Sequence, residues 1–149
     1  MLNIYRKLIK LGIKRAFVLL MIKFVLKVKK TVYYYMFSDN GAKCSLKIIT
    51  QPTQFVGRGT IKIDNTAHIG VWPSPDLLSA YSYIEARGVD AFVEIGKRTH
   101  INNKATIIAD RTSIRIGDDC LIGQNVNIFD SDFHGLDIEN RKTGKYDCL

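Results

Sequence analysis

The stretch Ile95–Ile128 reads IGKRTHINNKATIIADRTSIRIGDDCLIGQNVNI, and isoleucine recurs in it at steps of six residues. The isoleucines form two runs of three, at Ile95, Ile101 and Ile107 and then at Ile116, Ile122 and Ile128. Compact or modest side chains stand four residues after several of them, at Thr99, Ala105, Cys120 and Val126. Neither the 3.6-residue period of a helix nor the two-residue period of a strand produces this spacing. A period of six is typical of a parallel β-helix, in which each hexad forms one short face.

This repeat predicts where the side chains of each hexad lie. The isoleucines are expected to point inward and to stack from one coil to the next. Glycines follow several of them, at Gly96, Gly117 and Gly123, and are predicted to turn the corners of the coil, where a positive φ is often required. The repeat slips by three residues between Ile107 and Ile116, where Ala109–Thr112 is predicted to form an outward loop. We therefore predict an all-β fold, with a parallel β-helix over residues 46–149.

The basic surplus of the chain lies in a predicted helical arm, residues 1–37. The first thirty residues carry nine basic side chains and no acidic one: Arg6, Lys7, Lys10, Lys14, Arg15, Lys23, Lys27, Lys29 and Lys30. The formal net charge of the chain is +8, so the remaining residues are close to neutral. A nucleic-acid-binding surface would need basic residues on the folded body, and the composition therefore argues against nucleic acid as a partner.

Two interpretations of the arm follow from its sequence. Lys14 and Lys23 are nine residues apart, or about two and a half helical turns, so they point in opposite directions. This spacing favours two short helices, or one helix covered all round at its middle, over a single straight interfacial helix. The basic residues favour peripheral contact with an anionic membrane surface. The alternative is packing against the β-helix or a partner subunit.

Targeting signals and cysteines indicate the compartment. The apolar run Ala16–Ile22 is much shorter than the roughly 20 residues that a membrane-spanning helix needs, and no signal-peptide cleavage site follows it. The three cysteines, Cys44, Cys120 and Cys148, form no metal-binding spacing, and their odd number suits a reducing compartment. We therefore expect a cytoplasmic protein, peripheral on the inner face of the membrane if the arm binds lipid. Cys120 is predicted to pack in the core.

The segment between the arm and the regular repeat contains weaker signals. Residues 38–45 are rich in turn-forming types and are predicted to be a boundary. Trp72-Pro73-Ser74-Pro75 interrupts the repeat. Short strands are predicted on either side of this interruption, at Leu46–Ile49, Thr60–Ile63, Ala67–Val71 and Tyr83–Arg87.

From about Tyr83 onward the sequence resembles a known family. The resemblance rests on IEAR (84–87), INN (101–103), IGDDCLIG (116–123) and DFHGLD (132–137), followed by Arg141. These motifs are similar to those of the bacterial hexapeptide-repeat acyltransferases of the maltose/galactoside O-acetyltransferase type, and closest to acetyltransferases encoded with capsule and O-antigen genes. The resemblance implies a left-handed parallel β-helix, acetyl-CoA as donor substrate, no metal, and a homotrimer.

The resemblance also implies roles for individual residues. His134 matches the general base, and histidine suits the task because imidazole titrates near neutrality. Asn102 and Asp110 match positions that contact the acceptor sugar. Asp132 lies two residues before His134 and faces the same way in extended chain, so it can orient the imidazole. The residues alone leave simpler interpretations open. His134 would then be an ordinary exposed loop histidine, Asn102 a corner residue that tolerates a left-handed conformation, and Asp132 a solvated loop acid. For Glu85 and Arg87 we predict an ion pair on the surface of the β-helix, the alternative being a contribution to the cleft.

These expectations predict one function and leave several alternatives open. The predicted activity is transfer of an acetyl group to a hydroxyl of a sugar, free or lipid-linked, in surface-polysaccharide biosynthesis. One alternative is acetylation of an amino or nucleotide sugar. Another is an inactive β-helix that serves as a binding or assembly module, because family members continue with further coils where this sequence ends at Leu149. A carbonic anhydrase of the γ class needs three convergent histidines, and His68, His100 and His134 are predicted to be too dispersed.

Overall fold

The computed structural model describes residues 12–135 and 138–142. In these residues it has one α-helix, ten strands and two short 3-10 helices, at Leu46–Ile48 and Asn140–Lys142. The longer elements are α1 (Ile13–Tyr35), β1 (Thr53–Val56), β2 (Thr60–Ile63), β3 (His68–Ile69), β4 (Ser82–Ala86), β5 (Phe92–Ile95), β6 (His100–Ile101), β7 (Thr106–Ala109), β8 (Ser113–Ile116), β9 (Leu121–Ile122) and β10 (Asn127–Phe129).

The strands form three parallel sheets, and each sheet takes every third strand of the chain. The first sheet has the order β1-β4-β7-β10, the second β2-β5-β8 and the third β3-β6-β9. Every registered pair of these strands is parallel. Three consecutive strands therefore belong to three different sheets, and the fourth returns to the first. The predicted class, an all-β fold of parallel strands with a helix at the N-terminal side, is confirmed.

Branched apolar side chains stack in the core at matching positions of neighbouring strands. In the first sheet Ile107 is registered with Ile84 on one side and Ile128 on the other. In the second sheet Ile95 is registered with Ile63 and Ile116. Ile84, Ile95 and Ile107 are almost completely buried. Burial of each such side chain contributes about 1.5–3 kcal/mol, so these stacks dominate the stability of the sheets.

The corners are turned by residues other than the predicted glycines. A positive φ occurs three residues after an isoleucine, at Arg98, Lys104, Asp119 and Asn125. Gly96, Gly117 and Gly123 have no positive φ, so the role predicted for these three glycines is wrong, whereas Gly70, which follows Ile69, has a φ of 88°. Gly96 is needed for a different reason. A Cβ at this position would lie 2.6 Å from the carbonyl carbon of Gly117 and 2.7 Å from the backbone nitrogen of Asp118 on the adjoining strand connection.

The N-terminal arm contains one continuous helix of 23 residues, α1, which follows Gly12 and ends at Tyr35. The prediction of a helix covered all round at its middle is wrong, whereas the alternative of two short helices also involves residues 1–11 and stays a prediction. No proline or glycine interrupts the segment, and only Ala16 and Leu26 are buried. Residues 1–11 of the predicted arm lie outside the described residues. No helix in the described part of the chain is long and apolar enough to cross a membrane.

The second half of α1 packs on the sheets. The Tyr34 ring contacts Phe55 of β1 edge to face at 5.8 Å between centroids. Lys30 Nζ donates hydrogen bonds to the carbonyls of Leu46 at 3.2 Å and Ile49 at 3.1 Å. Leu46–Ile49, predicted as a strand, begins as a 3-10 helix because the Ser45 hydroxyl accepts a hydrogen bond from the Lys47 backbone and caps it. Packing against the body, one of the two interpretations of the arm, is therefore observed for this half.

Candidate active site

Three strands of the first sheet end in charged residues at one edge. Arg87 follows β4, Asp110 follows β7 and Asp130 follows β10. Because the strands are parallel and Ala86 is registered with Ala109, these three positions lie next to one another. The loop that contains His134 continues directly from this edge. The topology thus places Arg87, Asp110 and Asp130 beside the start of the loop that contains His134.

Arg87 joins two buried carboxylates. Its Nε and Nη2 atoms donate to the two oxygens of Glu85 at 2.8 and 3.2 Å, and Nη1 donates to Asp110 Oδ1 at 3.2 Å. Glu85 and Asp110 are 7% and 3% exposed, so their charges are compensated within the protein. The hydrogen bond with Glu85 raises the pKa of Arg87 above its usual value. The predicted ion pair of Glu85 and Arg87 is confirmed, but Glu85 is buried rather than on the surface, and the further contact of Arg87 with Asp110 was not predicted.

The Tyr83 hydroxyl completes this network. It donates a hydrogen bond to Glu85 Oε2 at 3.1 Å. Burial and then the neighbouring charge of Glu85 raise the pKa of Tyr83 to about 12, so the phenol keeps its proton at neutral pH. The phenol therefore acts as a hydrogen-bond donor to Glu85 at neutral pH.

Asp130 holds the outward loop between β7 and β8. Its Oδ1 accepts from the Asp110 backbone nitrogen at 2.7 Å, and its Oδ2 accepts from the Thr112 nitrogen at 3.0 Å and hydroxyl at 2.7 Å. Burial acts to raise the pKa of Asp130, but these hydrogen bonds outweigh it and the pKa is lowered. Sequence reasoning missed this residue. An aspartate immediately after a strand is a signal for such loop capping.

Phe133 has a backbone conformation that is rare for a large side chain, with φ of 61°. Three contacts hold it there. Its backbone nitrogen donates to the Ser131 hydroxyl at 3.0 Å, its ring packs edge to face on Phe129 at 5.5 Å, and the Arg87 guanidinium lies 4.8 Å from the ring centroid. Such a conformation costs about 1–3 kcal/mol and tends to occur at functional sites. It fixes the backbone from which the next residue, His134, projects.

The structure brings two of the predicted site residues together. Asp132 and His134 line an open cavity of about 530 Å³, together with Gly135 and Arg141. Both predicted side chains are exposed, and so is Arg141. An imidazole, a carboxylate and a guanidinium therefore meet around one accessible space. Leu136 and Asp137 of the sequence motif lie outside the described residues.

The two other predicted acceptor-binding residues are engaged elsewhere. Asn102 is half-buried after β6 of the third sheet, and its Oδ1 accepts from the backbone nitrogen of Asn103 at 2.7 Å. Asp110 is buried and paired with Arg87 beside the cavity. Neither is among the described residues that line the cavity around His134. Contact of Asn102 and Asp110 with an acceptor thus stays a prediction.

The histidines are less dispersed than the sequence suggested. His68 and His100 are registered on β3 and β6, and their rings stack with centroids 4.9 Å apart. The predicted dispersion is wrong for this pair, because a parallel register places equivalent residues of successive strands side by side. His134 follows a strand of another sheet. In residues 12–135 and 138–142 no group of three or more histidine, cysteine or acidic residues is placed to hold a metal ion.

The parallel sheets and the cavity around His134 are the features from which the function of this chain must be inferred. No protein-family model, no curated protein and no solved structure matches the chain. The chemistry available at the cavity is that of a base, an acid that can orient it and a cation that can hold an anionic group.

Proposed function

We propose that the protein transfers an acetyl group from acetyl-CoA to a hydroxyl group of a surface-polysaccharide sugar, with His134 as the general base. The observation that carries this proposal is the placement of Asp132, His134 and Arg141 around one cavity. It is the pair Asp132 and His134, with Arg141 beyond, that resembles the catalytic motif of hexapeptide-repeat acetyltransferases. The ion pairs of Arg87 with Glu85 and Asp110 would hold the ends of the neighbouring strands in place beside the loop that contains His134.

We also propose that the three sheets form the left-handed parallel β-helix of those enzymes. Support comes from the order of the strands, in which every third strand shares a sheet, and from the stacked isoleucines at six-residue spacing. The handedness follows from the resemblance.

In the proposed reaction His134 removes the proton from the sugar hydroxyl. The hydroxyl oxygen attacks the thioester carbonyl, the new C–O bond forms, and the C–S bond breaks. The imidazolium then returns its proton to the departing CoA thiolate, so no acyl-enzyme is formed. Asp132 would orient the imidazole. Arg141 would hold an anionic group of a substrate, since a guanidinium fits phosphate or carboxylate through paired hydrogen bonds.

We propose that the protein forms a homotrimer in which Asn102 and Asp110 contact the acceptor sugar. Asn102 follows a strand of the third sheet, whereas His134 follows a strand of the first. In a trimer with its sites between subunits, Asn102 would reach an acceptor held by the neighbouring subunit. Mixing Asn102→Ala and His134→Ala subunits by unfolding and refolding should then restore part of the activity, because some interfaces regain both residues. No restoration would contradict the shared site.

The central experiment uses the full chain with acetyl-CoA and a panel of sugars and sugar nucleotides. Release of free thiol is followed, and the product is identified by mass spectrometry. His134→Ala should lower kcat by about 10²–10⁴-fold, the usual contribution of general-base catalysis. His100→Ala, an exposed histidine on the third sheet, is the matched control and should keep full activity.

Three results would contradict parts of the proposal. Full turnover by His134→Ala would remove the assigned base. A hydroxylamine-stable product would indicate an amide, and hence acetylation of an amino sugar. Binding of sugars without any transfer from acetyl-CoA would favour the alternative of a binding or assembly module.

A further inference from the structure

One face of α1 exposes large apolar side chains to solvent. The exposed side chains include Ile13, Phe17, Leu20, Phe24 and Val28, which are between 47% and 91% exposed. Successive members of this set are three or four residues apart, so they lie on one side of the helix. We call this set the apolar face of α1. Soluble proteins rarely expose so continuous an apolar surface without a partner.

The body of the protein lies on the other side of the helix. Leu26, Lys30 and Tyr34, again four residues apart, contact it: Leu26 is buried, Lys30 bonds to the Leu46 and Ile49 carbonyls, and Tyr34 packs on Phe55. Two residues along a helix correspond to a rotation of about 200°, so Leu26 points away from Phe24. The apolar face is therefore directed outward while the opposite face anchors the helix.

The charge around the apolar face has a single sign. Residues 12–38 contain six basic side chains and no acidic one. Four of the six are exposed: Lys14, Arg15, Lys23 and Lys27. A second copy of the helix is a poor occupant for this face, because pairing would bring like charges together without an acidic partner. An anionic lipid surface supplies the missing negative charge and an apolar layer together.

We propose that α1 lies in the headgroup layer of an anionic membrane, with its apolar face inserted. Phe17, Leu20 and Phe24 would enter the boundary of the acyl chains. Lys14 and Lys27 would reach lipid phosphates beside the inserted side chains, since long basic side chains extend to the interface. The body stays outside the lipid because it is attached to the opposite face. This inference does not depend on the proposed acetyl transfer.

Binding of the full chain to phosphatidylcholine vesicles, with and without phosphatidylglycerol, tests the proposal by co-sedimentation. We expect binding only with the anionic lipid, weakened by added salt. Combined Lys14→Gln, Lys23→Gln and Lys27→Gln substitutions should lower the partition coefficient on the order of a hundredfold, at about fivefold per lysine. These exposed changes leave the contacts of Lys30 and Tyr34 intact.

A second variant tests the apolar face and has a matched control. Phe17→Ser with Phe24→Ser should abolish binding. Val89→Ser with Leu121→Ser removes two exposed apolar side chains outside the helix and should bind like the parent protein. Circular dichroism of each variant verifies that it is folded.

Three results would overturn the proposal. One is equal binding to vesicles with and without phosphatidylglycerol, and another is undiminished binding by the double serine variant of α1. The third is a dimer that forms without lipid and is lost in that variant, because the apolar face would then be covered by a second copy.

Discussion

The substitution Asp130→Asn tests whether one buried carboxylate holds the edge of the site. Asp130 accepts three hydrogen bonds that together fix the loop between β7 and β8: one from the Asp110 backbone and two from Thr112. Asparagine has nearly the same shape, so the change removes the charge and one acceptor without creating a cavity. The amide oxygen can keep the bond from Asp110. The amide nitrogen then faces the Thr112 backbone nitrogen, and two donors oppose each other.

The expected loss follows from the bonds that are broken. A hydrogen bond to a charged group contributes about 1.5–3 kcal/mol, and a buried donor left without its acceptor costs about 1–3 kcal/mol. The Thr112 backbone bond is lost outright, and the bond that remains on the asparagine oxygen is no longer assisted by charge. We therefore expect Asp130→Asn to lower the free energy of unfolding by about 2–4 kcal/mol at pH 7. Thr112→Ala removes the hydroxyl bond alone and should cost about 1.5–3 kcal/mol, since that bond is also made to the charged carboxylate.

The same carboxylate predicts a dependence on pH. The pKa of Asp130 is lowered in the folded protein, so its contribution is present above the unfolded value of about 3.9 and is lost as the pH falls through the folded pKa. The parent protein should therefore lose stability below about pH 4 in part through Asp130. Asp130→Asn lacks this titration and should show a flatter profile there.

Urea unfolding at pH 7 and pH 3, followed by far-ultraviolet circular dichroism, measures both effects. Glu94→Gln is a suitable control, since Glu94 is a carboxylate in ion pairs whose basic partners are exposed. Such pairs contribute about 0–1 kcal/mol. The reasoning would be refuted by a loss of less than about 0.5 kcal/mol at pH 7, the size of an ordinary surface substitution. An unchanged difference between parent and Asp130→Asn at the two pH values would refute the linkage.

Three further predictions concern the sheets and the loop. Gly96→Ala should destabilise by about 1–3 kcal/mol, because its Cβ would overlap the backbone of Gly117 and Asp118; Gly117→Ala, with nothing within 4 Å, should be neutral or slightly stabilising. Phe133→Gly should be more stable than Phe133→Ala by about 1 kcal/mol, since only glycine accepts a φ of 61° without strain. Ile107→Ala should cost about 2–5 kcal/mol as a fully buried truncation. Chemical denaturation measures all three.

Each of these comparisons has a result that would contradict it. Equal effects of alanine at Gly96 and Gly117 would mean that close approach does not distinguish the two positions. If the Phe133→Ala variant were more stable than the Phe133→Gly variant, the backbone of Phe133 would not be held in the left-handed region. A loss below about 1 kcal/mol for Ile107→Ala would remove that side chain from the core.

The sequence predicted the features that depend on periodic burial. The six-residue spacing of isoleucine placed Ile95 and Ile107 inside the molecule, and the register of the sheets stacks them as expected. His134 was singled out through the resemblance of residues 132–137 to a family motif and Asp132 through its two-residue spacing from His134, and the structure places both beside one cavity. Patterns of this kind are visible in one sequence because each hexad meets the same environment.

Features that depend on contacts between residues far apart in the sequence were not predictable in the same way. The tight space at Gly96 is created by residues 117 and 118, and nothing in the local sequence separates it from Gly117. Asp130 was overlooked because its partners, Asp110 and Thr112, lie some twenty residues away. The exposed middle of α1 differs from the prediction because the opposite directions of Lys14 and Lys23 were taken as a sign of cover all round, whereas only Ala16 and Leu26 of the helix are buried.

The order of the strands has a consequence for how the protein acquires its structure. Thr53 pairs with Ser82, 29 residues later, and Ile107 pairs with Ile128, 21 residues later. Each strand therefore pairs only with the strands three places before and after it in the chain, and no pairing joins the two ends of the described chain. A growing chain can complete one set of three strands on a ribosome before the next set is synthesised. Each set then offers its strands for pairing to the next, and this topology is compatible with assembly in the direction of translation.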